Sequence, residues 1–246
     1  MITLTSIRTA MLIMTTAFIA TGCSKPDAGP PPDPTKPSID SVNFDTSAWS
    51  EKDKSRDAIE WDNSKADVLS LNFFNEKPSI PVKPKELKKL RDYYRTMISK
   101  AGGGLVSVDV MSVQNLPCIK TIFKVPQQPD GMTYVGSFTI PLADFSYVVK
   151  AKCTETGTTG IRDTMVMQDM MSSGKMKMGS FDGWAQDPYQ PSFKGPALRN
   201  KSEDEKYDEK FPDHPLSRCR KILANVIATL KINDVVAKSA PFKGSR

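Results

Sequence analysis

An α+β domain, built as an antiparallel sheet of about five strands packed against helices, is the fold class this sequence predicts. Three observations carry it. Apolar residues alternate with period two in four short runs between Leu105 and Cys153, and a fifth such run extends from Ile161 to Met167. The connections between these runs are short, whereas a parallel crossover needs about a dozen residues or more, so neighbouring strands are expected to be antiparallel. Two segments, from Lys85 to Lys100 and from Pro215 to Leu230, instead carry apolar stripes on a helical period, and a sheet with helices on one face is the layer arrangement that buries them.

The chain has 246 residues and a formal charge of +6, enough for one large core. At its start, Arg8 precedes an apolar stretch from Ala10 to Ala20, too short for a bilayer span of about 20 residues. Ala20, Thr21, Gly22 and Cys23 come next. This succession resembles the signal peptide and lipobox of bacterial lipoproteins. The resemblance is confined to the leader and implies that residues 1–22 are removed and that the Cys23 thiol takes the lipid. With its amine also acylated, Cys23 would hold a stable membrane anchor, since a single chain gives only a marginal one. Ser24, standing where aspartate would signal inner-membrane retention, implies the outer membrane of the cell envelope, with the domain facing the periplasm. Pro26, Pro30, Pro31, Pro32, Pro34 and Pro37 make residues 23–50 read as an extended linker, leaving 51–246 as a single domain.

Within the domain, part of the stretch from Trp49 to Leu71 is expected to be an amphipathic helix, stopped at Asp62, Asn63 and Ser64. The helix from Lys85 to Lys100 has Leu87, Leu90, Tyr94, Met97 and Ile98 on one stripe. Gly102, Gly103 and Gly104 end it. They follow a helix and precede a strand, the reverse of the order that aims backbone amides at a phosphate, so they are not a nucleotide loop. The strands run from Leu105 to Val110, Cys118 to Val125, Thr133 to Ile140, Phe145 to Cys153 and Ile161 to Met167. Beyond them, residues 181–198 form an irregular loop with Trp184, Tyr189 and Phe193, either an aromatic contact surface or a wrap pinned by its rings. The acidic stretch from Lys201 to Asp213 reads as solvated. The last helix buries Leu216, Cys219, Leu223, Val226, Ile227 and Leu230. The element order from Lys85 to Leu230 resembles the PsbP/Mog1-like sandwich, an antiparallel sheet backed by helices. No motif of that family is matched, and no functional residue carries over.

The residues that bear chemistry are few. No basic stripe interleaved with aromatics points to nucleic acid. Glu155, Arg162 and Asp163 lie near one hairpin, either as an anion-gripping patch or as a structural ion pair. Met165, Met167, Met170, Met171, Met176 and Met178 raise the chemistry of Cu(I), but without histidine support they read as soft core filling. No metal or other cofactor is expected. Once Cys23 carries lipid, Cys118, Cys153 and Cys219 remain. They can make one bridge, with Cys118–Cys153 the first pairing to test, or stay as three buried thiols. Cys219 falls on the buried helical stripe, so a nucleophilic pair with His214 is not expected, and no catalytic residue is assigned. The expected role is a noncatalytic, membrane-tethered envelope protein that binds another protein or assists assembly. A small-ligand binder or hydrolase using Glu155, Arg162 and Asp163, and a periplasmic inhibitor or immunity protein, are the alternatives.

Overall fold

The computed structural model describes residues 33, 35–177 and 179–244. Nine strands are described: β1 (Val42–Asn43), β2 (Ser50–Lys54), β3 (Ala58–Asp62), β4 (Val68–Phe74), β5 (Gly104–Val113), β6 (Leu116–Pro126), β7 (Met132–Pro141), β8 (Ser146–Thr154) and β9 (Lys231–Ile232). The helices are α1 (Leu87–Lys100), α2 (Ile161–Ser172), α3 (Pro215–Thr229) and α4 (Asp234–Ala237). Seven strands form one sheet in the order β2-β3-β4-β8-β7-β6-β5, and β1 pairs with β9 separately. Every registered pair is antiparallel.

The mixed α+β class and the four strands expected between Leu105 and Cys153 are present, with helices packed against the sheet. Two elements differ from expectation. Residues 58–74 are strands, not helix, because Ile59, Trp61, Leu69, Leu71 and Phe73 bury on a strict period of two. Asp62 and Asn63 begin a hairpin turn in which the Asn63 side chain accepts from the amides of Lys65 and Asp67. Residues 161–172 are helix, not strand. Gly160 precedes them with φ of 72°, and Arg162 and Val166, one helical turn apart, are the buried positions.

Helices also cover both faces of the sheet, not one. Leu90, Tyr94 and Ile98 of α1 pack on Leu105, Val108, Ile119 and Phe123. On the opposite face Leu216, Cys219, Leu223 and Val226 of α3 pack among Ile122, Phe138, Ala151 and Cys153. Within the stretch read as linker, Ile39, Val42 and Phe44 are buried in this second core, and Phe44 sits edge-on to Trp61 at 5.7 Å. The β1–β9 pairing ties this segment to the chain just after α3. Cys23 and the leader lie outside the described residues. No helix among the described residues is long and apolar enough to cross a membrane.

Candidate functional site

Glu155 and Arg162 line one opening together with Phe211, His214 and Arg218, whereas Asp163 does not reach it. Arg162 is only 1% exposed. Its guanidinium donates to the Ser202 carbonyl at 2.7 Å, Ser217 Oγ at 2.8 Å and the Asp204 carbonyl at 3.1 Å, and lies 3.0 Å from Asp208 Oδ1. Asp163 accepts from Asn200 Nδ2 at 2.9 Å and from the Ser202 hydroxyl. Glu155 accepts from the amides of Gly160 at 2.8 Å and Met132 at 3.1 Å, closing the turn that launches α2. Each side chain has its hydrogen-bonding capacity turned inward, so the group works as a clamp between α2, the 200–208 segment and α3.

The clamp extends into buried charges that sequence reading missed. The stretch expected to be solvated places Glu203 wholly inside the protein. Its carboxylate accepts from Lys124 Nζ at 2.8 Å, Tyr134 OH at 2.6 Å and the Asn200 amide at 2.8 Å. Arg220 donates to both Asp208 oxygens at 2.8 and 3.0 Å, and Arg218 to Asp67 at 2.8–3.1 Å. A carboxylate with several donors tolerates burial that an isolated one would not. His214 caps α3, its Nδ1 accepting from the Leu216 amide at 3.2 Å. Burial, reinforced by the cations Arg162, Arg218, Arg220 and Lys124, lowers its pKa to about 3. It is therefore a neutral cap at neutral pH and poorly matched to proton transfer there.

The aromatic loop is a wrap. The Tyr189 hydroxyl donates to the Val108 carbonyl at 3.2 Å and accepts from the Val108 amide at 2.8 Å, occupying the open edge of β5. Arg91 lies 3.8 Å from the centre of the Tyr189 ring, and Arg95, paired with Asp187 at 2.8 Å, lies 5.5 Å from that of Phe193. Trp184 is buried with Val166 and Met176, and Met167, Met170 and Met171 pack around them as the expected soft filling, whereas Met165 faces outward and is exposed, not core. Met178 lies outside the described residues.

An opening remains beside α1, which packs on β5 and β6 and leaves the β7–β8–β4 part of that face uncapped by helix. Thr121, Ser137, Lys150, Ser70 and Glu60 stand in register across five strands. Thr121 Oγ1 and Ser137 Oγ are 2.7 Å apart, and Asn72 Nδ2 donates to Ser70 Oγ at 3.0 Å. Burial lowers the pKa of Lys150. Beside this polar row a small groove, with a cavity volume of about 80 Å³, is lined by Phe74, Ile80, Tyr93, Tyr94, Phe123 and Val148 together with Ser137, Thr139 and Ser146. Such a groove offers flat apolar contact on its wall and hydrogen-bonding groups on its floor, the combination that orients an amphipathic ligand. Its signal in the sequence was the recurrence of Ser and Thr at alternating positions of otherwise apolar central strands.

Cys118, Cys153 and Cys219 are buried free thiols, and the expected Cys118–Cys153 pairing fails on distance. Cys118 lies one position before the Ile119–Thr139 pair, level with Ile140 and its partner Tyr147 on β8. That is roughly 20 Å along the strand from Cys153, where a disulfide needs Cα atoms within about 7 Å. Among the described residues, no cluster of three or more His, Cys, Asp or Glu side chains is placed to hold a metal ion.

No protein-family model matches this chain, and no curated protein matches it. A crystal structure of a protein from Bacteroides thetaiotaomicron VPI-5482 is similar at 9% identity with a TM-score of 0.31, over 48% of this chain and 39% of that one.

Proposed function

We propose that this chain is a noncatalytic envelope lipoprotein, tethered to the outer membrane through Cys23, that binds a protein partner in the periplasm through the groove beside α1. The observation that carries the binding site is the wall of Tyr93, Tyr94, Phe123 and Phe74 over the hydroxyls of Ser137, Thr139 and Ser146, with Ser137 the point where the registered polar row enters the groove. The Ser137, Thr139 and Ser146 hydroxyls on central strands forgo apolar burial, and a ligand that uses them offsets that loss. The polar groups first singled out from sequence have structural partners instead, which weighs against the small-ligand or hydrolytic reading based on Glu155, Arg162 and Asp163. The sandwich likeness belongs to the same proposal as an architectural expectation without a transferred activity.

The test places a photoreactive p-benzoylphenylalanine at Tyr93 in the native envelope, with the same group at the exposed Glu51 on β2 as control. A discrete adduct from position 93 and none from 51 supports the assignment; equal labelling or no adduct from 93 removes the groove as the binding site. Separately, Cys23→Ser is expected to abolish acyl labelling and membrane retention. Unchanged labelling would refute the tether.

A further inference from the structure

Two buried cysteines lie in the core between the sheet and α3. Cys153, near the end of β8, and Cys219, in the second turn of α3, are both fully enclosed in the same apolar core. Small residues on the sheet bring them together. Gly136 and Ala151 are a registered pair on β7 and β8, and Cys219 Sγ lies over them, 3.9 Å from the Ala151 carbonyl oxygen. A Cβ at Gly136 would fall 2.6 Å from that sulfur, so the missing side chain lets α3 sit closer to the strands than any other residue would allow. Cys153 is two positions beyond Ala151 and so points to the same face, opposite Tyr134. The neighbouring Cys219 thiol and burial push the Cys153 pKa far upward. Cys118 is elsewhere, its thiol directed to the Leu116 carbonyl at 3.4 Å.

We propose that Cys153 and Cys219 form a disulfide that staples β8 to α3 when the chain folds in an oxidising compartment, leaving Cys118 as a free thiol. The supply of oxidant rests on the envelope address proposed above; the pairing rests on the packing. Two S–H bonds break and one S–S bond forms. Two protons are released, and two electrons pass to the disulfide of a thiol–disulfide oxidoreductase, which is reduced to a dithiol. Exchange needs a thiolate and access to it, so the bond forms during folding, before the core closes over the pair.

The full chain carrying Cys23→Ser, which retains three cysteines, is denatured, reduced and refolded in a buffer of reduced and oxidised glutathione. It is then alkylated in denaturant and mapped without reduction. The expected result is a peptide pair joining Cys153 to Cys219, with Cys118 alkylated. The loop closed is roughly 65 residues, so the thermal midpoint should drop by about 10 °C on adding reductant. A Cys118→Ala variant leaves the pair untouched and should give the same bridge. Three alkylated thiols, or any other pairing in the folded product, would overturn the proposal. The wild-type protein is then mapped from native envelopes. A bridge in both preparations supports pairing and address together. A bridge after glutathione refolding but three thiols in the native sample would overturn the oxidising address and leave the pairing intact.

Discussion

Replacing Arg162 with alanine separates a clamp from a binding site. The change removes donors from two buried carbonyls, Ser202 O and Asp204 O, and from the Ser217 hydroxyl, and removes one cation from Asp208. An orphaned buried acceptor costs about 1–3 kcal/mol, and breaking a buried ion pair from one side about 3–5 kcal/mol. Asp208 keeps Arg220, which holds the total near the lower part of that range, about 4 kcal/mol. For a domain of this size, that lowers Tm by roughly 10 °C. Arg162→Lys keeps the charge but cannot reach three separate acceptors with one ammonium, so it should recover less than about half of the loss. The assay is urea and thermal unfolding, followed by photocrosslinking from position 93 at a temperature where each variant is folded. Crosslinking should survive. A Tm shift below about 2 °C combined with loss of a bound partner would refute the clamp and restore Arg162 as a contact residue.

Three further outcomes are expected. His214 has a folded pKa lowered to about 3 against an unfolded value near 6.5, so the unfolded state takes up the proton first. Stability is then complete above about pH 6.5 and declines toward pH 3, by up to on the order of 4 kcal/mol; His214→Asn, which preserves a capping oxygen, should flatten that part of the urea-midpoint profile, and an unchanged slope would contradict the reading. Tyr189→Phe removes both hydroxyl contacts to Val108 and should cost about 1–2 kcal/mol, with faster hydrogen exchange at the Val108 amide; unchanged exchange would show that the ring alone protects the edge. Gly136→Ala forces a methyl against Cys219 Sγ and Leu223 Cδ1 at 2.6 and 2.7 Å, and should destabilise by about 1–3 kcal/mol, while Cys219→Ala in the same chain should return part of it; no recovery would place the strain elsewhere.

The central meander was legible because its strands are long, alternate cleanly and are separated by turns with Pro, Gly and Asp, so local pattern and tertiary environment agree. The β2–β4 meander was not. The β2 sequence, Ser-Glu-Lys-Asp-Lys, is an edge strand exposed throughout and carries no apolar alternation to read. The Met165–Val166–Met167 run fits two positions of a strand and one turn of a helix equally well, and it is the burial of Arg162 beneath Val166 that selects the helix. Arg162 itself was singled out correctly as unusual, but its partners lie about 40 to 55 positions away. The Lys124–Glu203 pair is separated by 79 positions, and nothing local to either residue announces the other. The groove was missed for a related reason: a polar row exists only once five strands are in register.

The seam between β4 and β8 has a consequence for the order of events during synthesis. Both meanders close through short turns, so each can pair with itself soon after it emerges. The seam joins residues such as Asn72 and Val148, 76 positions apart, and only it makes the two meanders one sheet. Loop closure over that distance is slow compared with hairpin formation. The β2–β4 unit is made first and therefore spends the time needed to make about 70 more residues with the β4 edge unpaired. Until β8 arrives, that edge presents Leu69, Leu71 and Phe73 together with a row of free backbone donors and acceptors. The interval before β8 docks is thus when this chain most needs an escort, and a ribosome or export partner that holds β4 would protect yield without touching the finished protein.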